Sequence, residues 1–225
     1  EREAQMPAPR WTPVPWEAAR ALRRGREGSM LPLTDRLWQA LLDGFQLLVD
    51  ESIFLSEDGR RLLAKLQSLL TQSRGRLSVD ASVVSSIFRQ YRATKPYTKL
   101  ELAEMEPEER EEMQQQREKA HKESRTAIKQ LRSLMEHRCL EVRNSPTDSR
   151  NSYDNIASLA RLFPKTRFLV LTLDQQLAEE LSRLKSGNAV AAKPIPSDNS
   201  KENTLLFYRA TRSIYEEMLK SPPEP

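Results

Sequence analysis

The sequence predicts an α/β fold with a central, mostly parallel sheet and a long charged helical insertion, on three observations. Short apolar runs alternate with stretches of helical periodicity along most of the chain, the pattern of strands joined by crossover helices. The run 168–173 is nearly unbroken apolar, as expected of a strand covered on both faces by helices. Between 98 and 137 the chain turns strongly helix-forming, acidic early and basic late, which complements a helix dipole.

Composition narrows the function. At 225 residues the chain is long enough for one substantial domain with an appendage. It is 38% hydrophobic and 30% charged, so a core is available but much of the chain must be solvated. A net charge of +4, from 36 basic against 32 acidic residues, permits an anionic partner such as nucleic acid without requiring one. The single cysteine, Cys139, excludes an internal disulfide and reads as a buried structural thiol. Two histidines in polar surroundings, His121 and His137, argue against a zinc site. No run approaches the roughly 18 apolar residues of a membrane span, and no secretory leader is visible. An intracellular protein, cytoplasmic or nuclear, with no membrane partner is expected.

Taken in order, residues 1–31 are rich in Pro and Arg, with Trp11 and Trp16 between recurrent prolines. They read as a strap or linker, or as an arm contacting a partner. The main domain is expected over 32–220, with a tail at 221–225. A helix over 35–43 ends at Gly44, and a strand over 45–54 follows. Leu62, Leu63, Leu66, Leu69 and Leu70 recur at helical spacing until Gly75. LSVD (77–80) reads as a second strand, and Val83, Val84, Ile87, Phe88 and Tyr91 mark the next helix. In the charged insertion, Ala127, Ile128, Leu131, Leu134 and Met135 share one face. Its second half is therefore expected to pack on the core, while its polar first half projects as a solvated helix or a guide for a protein partner. A third strand over 139–142, a polar loop, a helix opened near Asp154, the strand 167–173 and a helix after Asp174 complete the central pattern. Residues 189–195 read as a last strand near an edge, because of Pro194 and Pro196. An amphipathic helix over 203–219 closes the domain.

Familiar catalytic signatures are missing. With six glycines there is no phosphate-binding loop, and no Gly-x-Ser-x-Gly elbow occurs. What remains are carboxylates at strand ends. Asp50 follows the apolar run 45–49, Asp174 closes the strand 167–173, and Asp154 lies at the start of a helix. Each alone reads as a helix cap or turn residue. Together they can converge, since parallel strands bring their carboxyl ends to one side. Clustered carboxylates repel unless a cation neutralises them, and oxygen ligands without His or Cys point to Mg²⁺ or Mn²⁺. Such an ion suits phosphodiester hydrolysis. Thr172 and Asp174, two apart, leave the same side of the strand.

These residues resemble the PIN-domain family of metal-dependent ribonucleases. LLVDESIF, with Asp50 and Ser52, is similar to the family's first strand end. SYDNIASLA, with Asp154, resembles its third acidic motif, and LVLTLDQQLA, with Thr172 and Asp174, its fourth; the likeness spans about 45–195. The resemblance implies a three-layer PIN-like fold and an endoribonuclease acting on RNA, single-stranded in the first instance. Asp50, Asp154 and Asp174 would hold Mg²⁺ or Mn²⁺, with Ser52 and Thr172 orienting them. One position departs: Ser85 and Ser86 stand where the family carries a helix Glu. Either Asp80 or Asp148 substitutes, or the fold has weakened catalysis and serves as a protein- or RNA-interaction module. Arg89, Arg92, Lys95 and Lys99 are candidates to receive the phosphate backbone, or ordinary surface charge. A receiver-like phosphoryl-transfer domain would need a late lysine, for which Lys193 is the candidate.

Overall fold

A computed structural model describes residues 44–73, 75–195 and 204–220. The N-terminal strap, the helix expected over 35–43 and the 221–225 tail lie outside the described residues. In chain order the elements are β1 (Gln46–Val49), α1 (Glu51–Leu55), α2 (Glu57–Ser73), β2 (Leu77–Asp80), α3 (Ala81–Ala93), α4 (Lys99–Ala103) and α5 (Pro107–Glu136). There follow β3 (Leu140–Arg143), α6 (Ser152–Leu162), β4 (Phe168–Leu171), α7 (Gln175–Ser182), β5 (Ala189–Ile195), β6 (Thr204–Phe207) and α8 (Arg209–Lys220). The fold is α/β, with one six-stranded sheet in the order β3-β2-β1-β4-β5-β6. All pairings are parallel except β5 with β6.

Alternation along the strands divides the core. Leu47, Val49, Leu169 and Leu171 point to one face, where α2, α3 and the second half of α5 contribute Leu62, Leu66, Val83, Ile87, Leu131 and Leu134. Leu48, Phe168 and Val170 point to the other, against Ile156 and Leu159 of α6 and Leu177 and Leu181 of α7. Cys139 is buried, as its apolar context predicts.

Three elements differ from the sequence reading. The strand expected over 45–54 stops at Val49, and the chain turns through Asp50 straight into α1. Apolar residues continue through Ile53 and Phe54, so the pattern gives no stop. The stop comes from the neighbouring strand: β4, the partner of β1, ends level with it at Leu171. Close packing of the next turn needs Gly59, where a Cβ would overlap the backbone of Ile53. The helix expected over 203–219 starts only at Arg209, and Thr204–Phe207 forms β6 along β5. That leaves β5 one strand in from the edge. The charged insertion is two helices, with α4 opened by a Thr98–Glu101 capping box and α5 begun at Pro107.

In the insertion, Ala127, Ile128, Leu131 and Leu134 are buried as expected, whereas Met135 is 51% exposed. The polar half is less detached than its composition suggests. The Arg117 guanidinium sits 4.0 Å over the Tyr97 ring, its Nε donates to the Lys95 carbonyl at 2.7 Å, and His121 stacks on Tyr91 at 4.5 Å. Only the turns before Arg117 stand largely in solvent.

Because Leu47 is fully buried at the centre of β1, Leu47→Ala is expected to lower stability by about 2–5 kcal/mol. Leu100→Ala, at a side chain 73% exposed, should change it by less than about 0.5 kcal/mol. Urea unfolding midpoints check both.

Candidate functional site

Strand order sets where a site can form. The chain runs outward from β1 to β3 on one side of the sheet and then crosses to β4 on the other, so β1 and β4 flank a topological switch point. The carboxyl ends of strands at such a point open a ligand crevice. Asp50 leaves β1 there. Continuing the register places it level with Thr172 beyond β4 and with Asp80 on β2. Asp80 pairs in turn with Arg143 of β3, and Thr172 is level with Lys193 of β5. One polar row thus crosses five strand ends, directly beyond the apolar row of Val142, Val79, Val49, Leu171 and Ala192.

Asp50 is the centre of this row. It is only 4% exposed and makes no side-chain cap to α1, although it occupies that helix's N-cap. Its carboxylate instead accepts hydroxyls from three separate elements. Ser52 donates to Oδ2 at 2.8 Å, Thr172 to Oδ2 at 3.0 Å and Ser152 to Oδ1 at 3.3 Å. Alternation explains the convergence, because Asp50 shares the face of Leu48, the face α6 covers. Ser52 also accepts from the Leu173 amide at 2.9 Å, and Thr172 from the Asp174 amide at 2.9 Å. Asp174, half-buried, caps α7 through Oδ1, which accepts from the amides of Gln176 and Leu177.

The other predicted residues fall around this centre. Asp80 is 2% exposed and caps α3: Oδ1 accepts the Ser82 amide at 2.8 Å and the hydroxyls of Ser82 and Ser145. Asp154 lies exposed in the first turn of α6 and accepts from Ser149 at 2.8 Å. The cap of α6 is Asn151, and the residue α6 sends to Asp50 is Ser152. Asp148 is exposed on the loop before α6. Arg89, Arg92, Lys95 and Lys99 are all exposed. Arg89 reaches the Arg150 carbonyl at 3.4 Å, and its charge acts on Glu51, so it alone of the four is placed at the acidic edge.

Glu51 was not singled out by the sequence. Burial raises its pKa above the ordinary glutamate value, and the charges of Asp50 and Asp174 raise it further, while the Ser86 hydroxyl facing it and Arg89 pull it back. Its Oε2 is buried with no hydrogen-bond partner among the described residues. Tyr208 borders the same edge: its hydroxyl donates to the Thr172 carbonyl at 3.2 Å, and burial, then Asp174 and Asp50, raise its pKa. The only signal for Glu51 in the sequence is its adjacency to Asp50.

The oxygens at this edge belong to carboxylates and hydroxyls, the ligand type Mg²⁺ and Mn²⁺ take, and Glu51 Oε2 and Asp80 Oδ2 are both buried with no hydrogen-bond partner among the described residues. Among the described residues, however, no three acidic or histidine side chains stand together as a ready metal cluster. Asp50, Asp154 and Asp174 therefore occupy one edge without forming the single ligand cluster the sequence suggested. Comparison of the chain with family models, with curated proteins and with solved structures found no match. Among the described residues no helix is long and apolar enough to cross a membrane.

The raised Glu51 pKa has a definite sign for stability. The folded state holds this proton more tightly than the unfolded chain, so stability is greatest below the ordinary value of 4.5 and falls as pH rises through the raised one. In EDTA, urea midpoints measured upward from pH 4.5 should show that fall, and Glu51→Gln should remove it.

Proposed function

We propose that the chain is a PIN-type, metal-dependent endoribonuclease that hydrolyses phosphodiester bonds of single-stranded RNA at the carboxyl edge of the sheet. The observation that carries this reading is Asp50: a buried carboxylate at the switch point, held by three hydroxyls and spent on no helix cap. Structural aspartates at strand ends ordinarily cap the next helix, as Asp80 does here. An aspartate immobilised without capping is pre-organised for something outside the fold. Its order relative to Ser52, Thr172 and Asp174 also matches the family's motifs.

In this reading Asp50 and Asp174 hold Mg²⁺ or Mn²⁺, with Asp154 able to contribute from the rim. Such an ion supplies Lewis acidity and a hydroxide-forming water for phosphodiester hydrolysis. The chain's own residues do the positioning. Ser52, Ser152 and Thr172 fix the Asp50 oxygens, and the α7 cap fixes Asp174. Arg89 lies nearest to receive a phosphate, with Arg92 one turn farther along the same helix and Lys95 and Lys99 beyond it. A second reading, a PIN-like module that binds RNA or a protein without cutting, is favoured by one observation: Asp154 is bonded to Ser149 and stands outside the Asp50 hydroxyl cluster.

Cleavage of a labelled single-stranded RNA in Mn²⁺, Mg²⁺ or EDTA separates the two. Metal-dependent cutting should fall on the order of 100-fold in Asp50→Asn and Asp174→Asn. RNA binding without cutting under any metal would instead support the module. Binding measured against salt concentration tests the basic residues. Neutralising Arg89 should reduce the slope of log affinity against log salt by about one.

A further inference from the structure

We infer that Lys193, held over the ring of Tyr208, is a phosphate contact of the proposed site. It receives an RNA phosphodiester group on the β5 side of Asp50, so that the strand crosses the carboxyl edge between Arg89 and Lys193. The inference rests on the nuclease reading and deepens it by giving the substrate a path.

The sheet places the lysine. Leu48, Val170 and Ala191 lie level on the face that α6 and α7 cover. Two residues on, alternation returns Asp50, Thr172 and Lys193 to that face, again level with one another. Lys193 therefore starts two strand spacings from Asp50, roughly 10 Å along the row. Tyr208, between β6 and α8, fixes the head group. Its amide donates to the Ala191 carbonyl at 3.0 Å and its hydroxyl to the Thr172 carbonyl at 3.2 Å, so both ends of the residue are tied to strands of the site. The Lys193 ammonium lies 5.6 Å from the centre of this ring. Burial, and then the charges of Asp174 and Asp50, raise the Tyr208 pKa, which sets the ring in the field of the acidic edge.

A lysine kept there for stability would pair with an aspartate. Among the described residues its ammonium pairs with no carboxylate. Asp50 is occupied by hydroxyls instead, and Asp174 by the amides of α7. An aromatic face steadies the ammonium without consuming its N–H donors, which leaves them for an anion. The carboxylates of the edge repel a polyanion, and a cation on each flank offsets that repulsion where the phosphates pass. Arg89 supplies one flank from α3, and Lys193 supplies the other from β5.

The test is anisotropy of a labelled, unstructured RNA at several salt concentrations, in EDTA and in Ca²⁺, on the wild-type chain, K193Q, K193R and K129Q. Lys129 is exposed on α5, the helix that covers the opposite face of the sheet, and controls for surface charge. Urea midpoints confirm that each protein is folded. K193Q should bind on the order of tenfold more weakly whatever the RNA sequence, and its slope of log affinity against log salt should be shallower by about 0.7–1. K193R and K129Q should keep the wild-type slope. An unchanged slope in K193Q, or an equal loss in K129Q, beside Mn²⁺-dependent cutting that disappears in D50N, would overturn the contact and leave the nuclease reading standing. A wild-type chain that neither binds nor cuts RNA would overturn the nuclease reading itself, and this inference with it.

Discussion

Burial of the Asp50 carboxylate at the end of β1 is the constraint on which the upper edge of the molecule depends. A carboxylate 4% exposed must be compensated, and the chain compensates it with hydroxyls from α1, from the end of β4 and from the start of α6. Each donor fixes its own element. Ser52 holds the Leu173 amide, Thr172 holds the Asp174 amide, and Ser152 brings the first turn of α6 over the sheet. Hydrogen bonds to a charged group contribute roughly 1.5–3 kcal/mol each. The carboxylate is thus the knot at which two crossovers and a short helix are tied.

The same constraint explains how the two faces of the sheet divide their work. The face of Leu47, Val49 and Leu171 is closed by α2, α3 and α5 and is apolar throughout. The face of Leu48 and Val170 is covered by α6 and α7, and in register it runs into Asp80, Asp50 and Thr172. Chemistry-bearing residues collect where this second face meets the strand ends. Apolar packing positions them, and the α6 and α7 termini frame them.

Much of the fold was legible because its strands are short apolar runs with clear punctuation. LSVD, FLVL and the 189–195 run were located from pattern alone, and Leu62, Leu63, Leu66 and Leu70 fall on the buried face of α2 as their spacing requires. Failures came where a tertiary partner decided the outcome. The end of β1 is set by β4, and β6 exists because β5 offers an edge. Local periodicity carries neither fact. In the site, Asp50, Ser52, Thr172 and Asp174 could be read from motif order, since they lie on strand ends whose register follows from the fold. Ser152 could not, because Asp154, two residues on, is the acidic residue that attracts attention while the serine makes the contact. Glu51 was hidden for a similar reason: its neighbour Ser86 is 35 positions away in sequence and adjacent only after α3 packs beside α1.

The two outermost strands of the sheet, β3 and β6, are each four residues long. β3 carries Glu141 and Arg143 two apart on the same side of the pleat, so an approaching chain would meet charge on that face. A strand added to such a margin gains only a few backbone hydrogen bonds and must desolvate an ion to do so. The one longer strand among the described residues, the seven-residue β5, is interior. Growth of the sheet by edge-to-edge stacking of copies, the route by which exposed β-structure aggregates, is therefore discouraged at the β3 margin.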